Sequence, residues 1–291
     1  MKRILITGCD SYIGTNFEKH LNSFSDTYLV DTLDMRDNSW REYDFSPYDA
    51  VFHVAGIAHN DISSVSEEQK ALYKTVNTDL AIEAANKAKT SGVSQFIFMS
   101  SVIVYGESAP IGVEKIITAD TIPTPSNFYG QSKLDAEKGM LPLCNDTFKV
   151  AVIRPPMIYG RGCKGNYKTL SKFAKITPIF PNIFNSRSML YIGNLVEFIK
   201  QIIDHELSGI FFPSNREKAS TAQMVKAIAA SKGKKVFLVK GFSWVFKLAS
   251  QFLPVINKVF GNMSYDETLT QYSFDYQRYS LEESIKETGN Q

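Results

Sequence analysis

"KRILITGCDSYIG", residues 2–14, is the stretch on which the fold turns. Its first half is a short, β-branched apolar run ending at a glycine, the pattern of a buried strand over 2–7. Its second half opens a helix over 12–23. A glycine-bearing turn between a strand and a helix is a phosphate loop, because the helix N-terminus presents amides and positive charge density to an anion. Gly8 suits the tight turn and Gly14 the close packing of helix on strand, with Tyr12 and Ile13 at the helix start. Ser11 stands where another glycine is usual, and its hydroxyl can donate to phosphate.

The pattern repeats downstream. "TYLVD" (27–31), "DAVFHVAG" (49–56), "QFIFMSS" (95–101) and "FKVAVIRP" (148–155) read as buried strands. Helical periodicity fills 67–92 and 128–141. Strands alternating with helices imply an α/β protein, a Rossmann-type doubly wound parallel sheet. Asp31, at the end of the second predicted strand, is placed to accept from adenosine ribose hydroxyls and to repel a 2′-phosphate. That favours NAD over NADP, although Arg36 nearby leaves NADP open. After about residue 156 the alternation loosens into helices at 166–175, 193–205 and 220–232, with short strands such as "GIFFP" and "KVFLV". The expected organisation is a dinucleotide-binding domain over 1–155. A smaller C-terminal α/β part over 156–291 binds substrate, with a late strand or helix free to return to the sheet.

The totals fit this reading. Of 291 residues 44% are hydrophobic and 21% charged, and the net charge of +2 gives no reason to expect nucleic acid. No run reaches the roughly 18 apolar residues of a membrane span. Three scattered cysteines, Cys9, Cys144 and Cys163, match neither a zinc site nor a disulfide framework, so reduced thiols, no metal and a cytoplasmic setting are expected. His53 reads as a core histidine; His59 and Cys163 are candidate substrate contacts. Residues 242–261, rich in large apolar side chains, read as a helix covering the second part, interrupted at Pro254; a membrane-surface anchor is the rarer reading.

"NFYGQSKLDAEK" (127–138) puts Tyr129 and Lys133 one turn apart on one helix face. Alone that spacing says little. Together with "TGCDSYIG", "DAVFHVAG", "VNTDL" (76–80), "FIFMSSVIVYG" (96–106), "VIRPPMIYG" (152–160) and "SRSMLYIGNLVE" (186–197), in this order, the chain resembles the extended short-chain dehydrogenase/reductase family of nucleotide-sugar epimerases and dehydratases. The resemblance implies Tyr129 as catalytic base, Lys133 as its partner and a holder of the nicotinamide ribose, and Ser101, with adjacent Ser100 as rival, as the serine bonding the reacting sugar hydroxyl. It also implies that Val54, Ala55 and Gly56 line the cofactor, that Asn77 helps place the site, that Asp44 and Phe45 lie at the adenine edge and that Arg187 grips the substrate pyrophosphate. The neighbouring ammonium and a cationic nicotinamide ring are expected to lower the tyrosine pKa from its usual value near 10.

Two departures narrow the reading. Met157 occupies a position where the family usually has asparagine, as in a subgroup of bacterial surface-polysaccharide enzymes acting on UDP-N-acetyl-amino sugars. Val102 and Ile103 stand where 4,6-dehydratases carry an Asp-Glu pair. The implied activity is a UDP-sugar 4-epimerase or 4-ketoreductase using NAD. The helices at 78–90 and 129–141 pair across the dimer in that family, so a homodimer is expected. The alternative, an inactive dinucleotide-binding sensor or scaffold of the same fold, sits poorly with the retention of Ser101, Tyr129 and Lys133.

Overall fold

The computed structural model describes residues 1–57, 66–163 and 165–289, and its contacts divide them into two compact units. The first contains residues 1–106, 122–155 and 196–212, the second 107–121, 156–195 and 213–291. An edge falls at 155/156, but the division is discontinuous: 107–121 goes with the second unit and 196–212 with the first.

The first unit is built on Lys2–Thr7 (β1), Tyr12–Asn22 (α1), Tyr28–Leu33 (β2), Ala50–His53 (β3), Glu67–Tyr73 (α2), Leu80–Thr90 (α3) and Gln95–Met99 (β4). After Ile116–Ile117 (β5), which lies in the second unit, it continues with Phe128–Met140 (α4) and Lys149–Ile153 (β6). Its six strands run in the order β10-β6-β4-β3-β1-β2, where β10 is Gly209–Phe211, and every pairing is parallel. Parallel strands covered on both faces bury every residue, and β3 and β4 do so throughout. The period-2 alternation then sorts side chains between two helical layers. Leu5, Val51, Phe96, Phe98, Val150 and Val152 face one core with Ala81, Ala84, Ala85 and Ala88 of α3 and Ala136 and Met140 of α4. On β3, Phe52 meets Phe17 of α1 edge-on at 5.1 Å.

Consecutive strands β2 and β3 lie on opposite sides of β1. The crevice where the winding reverses is where ligands bind in open α/β sheets, outside the carboxyl ends of the strands. The loops after β1 and β3 form it.

The expected helix over 67–92 is interrupted. Lys74–Asp79 forms a π-turn between α2 and α3, and such bulges recur at functional sites. One inserted residue barely disturbs the apolar periodicity, so the sequence does not reveal it. β2 runs on through Thr32 and Leu33, two good strand formers, beyond its expected end at Asp31.

In the second unit, Met157–Tyr159 (β7), Asn166–Ile176 (α5), Ile179–Pro181 (β8) and Met189–Tyr191 (β9) lead into Ile192–Asp204 (α6), whose last nine residues belong to the first unit. Then follow Thr221–Ser231 (α7), Phe237–Val239 (β11), Ser243–Ala249 (α8), Pro254–Phe260 (α9), Ser264–Tyr265 (β12) and Leu281–Gly289 (α10). The strands form three parallel pairs, β5·β12, β7·β9 and β8·β11. Met157 packs against the apolar cluster around Tyr159, Leu170, Phe180, Met224 and Ile228. The expected helix over 242–261 is two short ones, α9 beginning at Pro254.

Candidate active site

The two crevice loops touch through their backbones. Gly8 has φ +98°, and a Cβ there would lie 2.6 Å from the amide nitrogen of Ala55, so only glycine fits. Val54 donates its N–H to Thr7 O at 3.1 Å, extending the β1–β3 contact into the loops. Ser11 is the N-cap of α1, its Oγ accepting from Gly14 N at 3.1 Å. A glycine at 11 would have no side chain for that cap. The first turn of α1 carries no acidic side chain, so its positive end is left for an anion. Gly56 faces Asn77 and Lys133: a Cβ there would meet Asn77 Oδ1 at 2.9 Å and Lys133 Nζ at 3.4 Å. Backbone packed this closely at a helix N-terminus fits a dinucleotide.

Asn77, in the π-turn and fully buried, accepts from Ile57 N at 2.8 Å and donates to Ile57 O and to Ser132 Oγ, each at 3.2 Å. Thr78 Oγ1 donates to Ser132 O at 2.7 Å. The π-turn thus ties the loop after β3 to α4, the helix that carries Tyr129 and Lys133.

Asp31, Asp44 and Phe45 are the residues expected around the adenosine, and the expected strand end at Asp31 moves. Asp31 does not end β2: it pairs in register with Leu5 inside the strand, accepts from Tyr48 Oη at 2.9 Å and faces Arg3 at 3.5 Å. The acid beyond the strand end is Asp34, which accepts from Arg36 Nε at 2.8 and 2.9 Å; that guanidinium holds its carboxyl down to about 2. The Phe45 ring is fully buried in the core. Asp44 closes a surface turn, accepting from Ser46 N at 2.9 Å and Ser46 Oγ at 3.0 Å. His59 lies outside the described residues.

Beyond β4 the adjacent serines part company. Ser101 caps the short helix 102–105, its Oγ accepting from Ile103 N at 3.3 Å, and its hydroxyl lies near enough to the Tyr129 phenol to favour the phenolate. Ser100 turns the other way, donating to Glu137 inside a buried ion pair. Arg154 Nε reaches the Glu137 carboxylate at 3.1 and 3.2 Å, its Nη2 closes a second contact, and its Nη1 donates to Tyr105 Oη at 2.6 Å. Glu137 follows Lys133 by one turn of α4, so one helix face carries Tyr129, Lys133 and this anchor. The sequence reading missed the network: its members are far apart in the chain and look like ordinary surface charges.

In the ligand-free protein, burial dominates the electrostatics of this pair. Burial pushes the Tyr129 phenol up, to about 12, with Tyr73 adding to the rise and the Ser101 hydroxyl opposing it. Burial likewise pushes Lys133 down, to about 8, with Glu137 opposing the fall. Lys133 Nζ donates to Met99 O at 2.9 Å and lies 4.7 Å from the Phe98 ring centre. Without further positive charge, desolvation keeps the phenol protonated.

A buried lysine whose folded pKa lies below its unfolded value destabilises the fold fully below pH 8, and the penalty fades as pH rises toward 10.5. Lys133→Met is therefore expected to stabilise the protein at pH 7 by about 2 kcal/mol: about 3 for the shift, less about 1 for the lost hydrogen bond. Chemical denaturation at pH 7 and pH 10.5 checks this, and the gain should shrink at the higher pH.

His53 is fully buried, stacked near Phe96 and Phe98, with Nδ1 2.8 Å from Thr7 Oγ1; it is a core histidine. Burial, with Lys133 adding to the effect, holds its pKa down to about 3. The folded state resists protonation, so stability falls as pH drops below 6.5 towards 3, by about 1.4 kcal/mol per unit. His53→Leu is expected to flatten that acid limb, as read by denaturant midpoints between pH 7 and pH 4.

In the second unit, Arg187 Nη1 donates to Lys258 O and Nη2 to Ser108 Oγ, both at 2.8 Å. Desolvation lowers its pKa to about 10, with Glu107 opposing, so the guanidinium remains charged at neutral pH. Cys163 packs against the unit's core, and burial raises its thiol pKa. Cys9 sits beside Asp10 and Asp34; burial first and those carboxylates second raise its pKa, which makes it a poor thiolate.

Comparison with known proteins follows the same lines. The sequence profile of the "NAD dependent epimerase/dehydratase family" matches residues 4–211. The chain is 30% identical to the UDP-glucose 4-epimerase of Vibrio cholerae, over 99% of this chain and 94% of that one. It is 27% identical to the N-acetyl-α-D-glucosaminyl-diphospho-ditrans,octacis-undecaprenol 4-epimerase of Escherichia coli O157:H7, over 80% and 73% of the two chains. Among solved structures, the UDP-glucuronic acid 4-epimerase of Bacillus cereus in complex with NAD shares the fold, with TM-score 0.72, 19% identity, and 98% and 95% of the chains covered.

Proposed function

Because the chain belongs to the NAD dependent epimerase/dehydratase family, we propose that it inverts C4 of a UDP-hexose or UDP-N-acetylhexosamine as an NAD-dependent 4-epimerase. The observation that carries this is the Tyr129 phenol, one turn of α4 before the buried Lys133 and near enough to Ser101 for that hydroxyl to favour the phenolate. Similarity to two 4-epimerases over most of their lengths supports the choice of carbon. Val102 and Ile103 supply no acid or base for eliminating water, which disfavours a dehydratase.

The residues that would hold NAD are Gly8 and the α1 N-terminus at the pyrophosphate, Asp34 at the adenosine ribose, Ala55 and Gly56 along the crevice, and Lys133 at the nicotinamide ribose. NAD supplies the acceptor that takes the C4 hydride and returns it, and its oxidised ring brings the positive charge that the phenolate needs. Tyr129, once deprotonated, accepts the proton of the 4-hydroxyl and later gives it back. Ser101 donates to the same oxygen and fixes its position. Lys133 keeps an ammonium near the phenolate in a desolvated pocket, where charge interactions are strong.

The fixed, charged fork of Arg187 suits the substrate pyrophosphate. Arg187→Ala is expected to raise KM for the UDP-sugar by about 10- to 100-fold with little change in kcat, a loss of roughly 1.5–3 kcal/mol for a charge-assisted bond. An unchanged KM would remove Arg187 from the substrate site.

The deciding experiment incubates the purified protein with UDP-glucose, with UDP-N-acetylglucosamine, and with a UDP-4-keto-6-deoxy-N-acetylhexosamine plus NADH or NADPH. Interconversion of C4 epimers without net change in nicotinamide absorbance is the expected result. Stoichiometric loss of reduced cofactor with the keto sugar alone would make the protein a 4-ketoreductase instead.

A further inference from the structure

The second unit leaves uncovered a surface that is both apolar and cationic. Phe242, Trp244, Val245 and Leu248, at the start of α8 and along it, are between 38% and 71% exposed. At the turn into α9, Phe252 is 77% exposed and Leu253 52%. The segment is nonetheless anchored from its other side. Phe246 meets Phe260 edge-on at 5.4 Å, and Ile256 and Val259 pack on the unit's core. Its outward face is therefore apolar by composition, held in place by its inner face.

The β8·β11 pair behaves alike. Ile179 and Phe237 are register partners and both point outward, 58% and 66% exposed, whereas Phe180, the next residue on β8, is buried. Ile176, at the end of α5, is 76% exposed. Lysines gather here: Lys234 Nζ donates to Lys175 O at 2.6 Å, and Lys232 lies close enough to Lys175 for the two to repel. Residues 156–195 and 218–265 together hold fourteen Lys and Arg and no Asp or Glu, in a chain whose net charge is only +2.

Exposed aromatic and aliphatic side chains among lysines, without one acid in those stretches, are the composition of an interfacial segment. A second copy pairing symmetrically through this face would set lysines against lysines. The charge calls for an anionic partner, and bulky protruding side chains such as Trp244 and Phe252 suit the fluid boundary between headgroups and acyl chains. We propose that the second unit docks peripherally, through α8, α9 and the β8·β11 edge, onto an anionic lipid bilayer.

The test uses the full chain with extruded vesicles of phosphatidylcholine alone or with 30% phosphatidylglycerol. It requires neither sugar nucleotide nor NAD, so its outcome is independent of the proposed reaction. Trp40 is 1% exposed and Trp244 71%, so a fluorescence blue shift on binding reports Trp244. Co-sedimentation is expected at least tenfold stronger with the anionic vesicles, accompanied by the blue shift. It should be lost in 1 M salt, where the Debye length is about 3 Å. Phe252→Asp with Leu253→Asp, and separately Lys240→Glu with Lys247→Glu, should each weaken binding at least tenfold while circular dichroism and 4-epimerase turnover stay unchanged. Binding to neither vesicle, or binding undiminished in both variants, overturns the proposal. So does light scattering in which the wild-type protein is an oligomer that the Phe252/Leu253 variant dissociates, since the face would then join copies of the chain.

Discussion

Tyr129→Phe is expected to lower kcat by about 10²- to 10⁴-fold, the usual contribution of a positioned acid–base group, with the melting curve little changed. The phenylalanine keeps the ring near Tyr73, 6.2 Å between centroids, and removes only the hydroxyl. Single-turnover reduction of bound NAD by substrate isolates the chemical step; a variant that turns over at the wild-type rate would dismiss Tyr129 as the base. The pH profile carries a second expectation. Burial opposes both the phenolate and the ammonium, and the pair releases its first proton near pH 8, where Lys133 titrates in the ligand-free protein. The active microstate, phenolate beside ammonium, has one proton fewer than the fully protonated pair. kcat/KM should therefore fall tenfold per pH unit below about 8, and the break should belong to the pair rather than to either residue. Lys133→Met should abolish that break.

The largest stability effect is expected from Glu137→Ala. Glu137 and Arg154 are 1% and 6% exposed in their side chains, and Ser100 and Tyr105 complete their hydrogen bonds. Removing one partner leaves a guanidinium buried without its counter-charge, at a cost of about 3–5 kcal/mol. That is a large part of the 5–15 kcal/mol that holds most proteins folded. Urea unfolding should show the midpoint of the first unit collapsing. Glu137→Ala with Arg154→Met should recover much of the loss, because a buried pair replaced by apolar groups is often near neutral. Equal losses in the single and double variants would mean that the pair is not the source. Since α4 carries Tyr129 and Lys133 on the same face, the double variant should fold yet catalyse more slowly.

The sequence disclosed what depends on local chemistry. The strand–glycine–helix junction at residues 2–14 gave the sheet and its ligand-binding edge, because a close backbone approach demands Gly8. The spacing of Tyr129 and Lys133 placed them on one face of α4. What escaped depends on the assembled fold. Nothing local separates Ser100 from Ser101; the Glu137–Arg154 pair does, across 17 residues of sequence. Asp31 reads as the end of the strand "TYLVD", and only pairing with β1 shows the strand running on to Leu33. The direction of the tyrosine shift was likewise a matter of burial, which a one-dimensional pattern does not record.

The discontinuous division of the chain bears on how the protein is made. The strand β10 that closes one edge of the six-stranded sheet comes after residues 156–195, which belong to the other unit. At roughly 5–20 residues per second of synthesis, the ribosome needs several seconds between finishing β6 and delivering β10. During that interval β6 is an open edge able to pair with another nascent chain. A fragment stopped at residue 155 retains that edge permanently and should aggregate, whereas one reaching residue 212 supplies the missing strand.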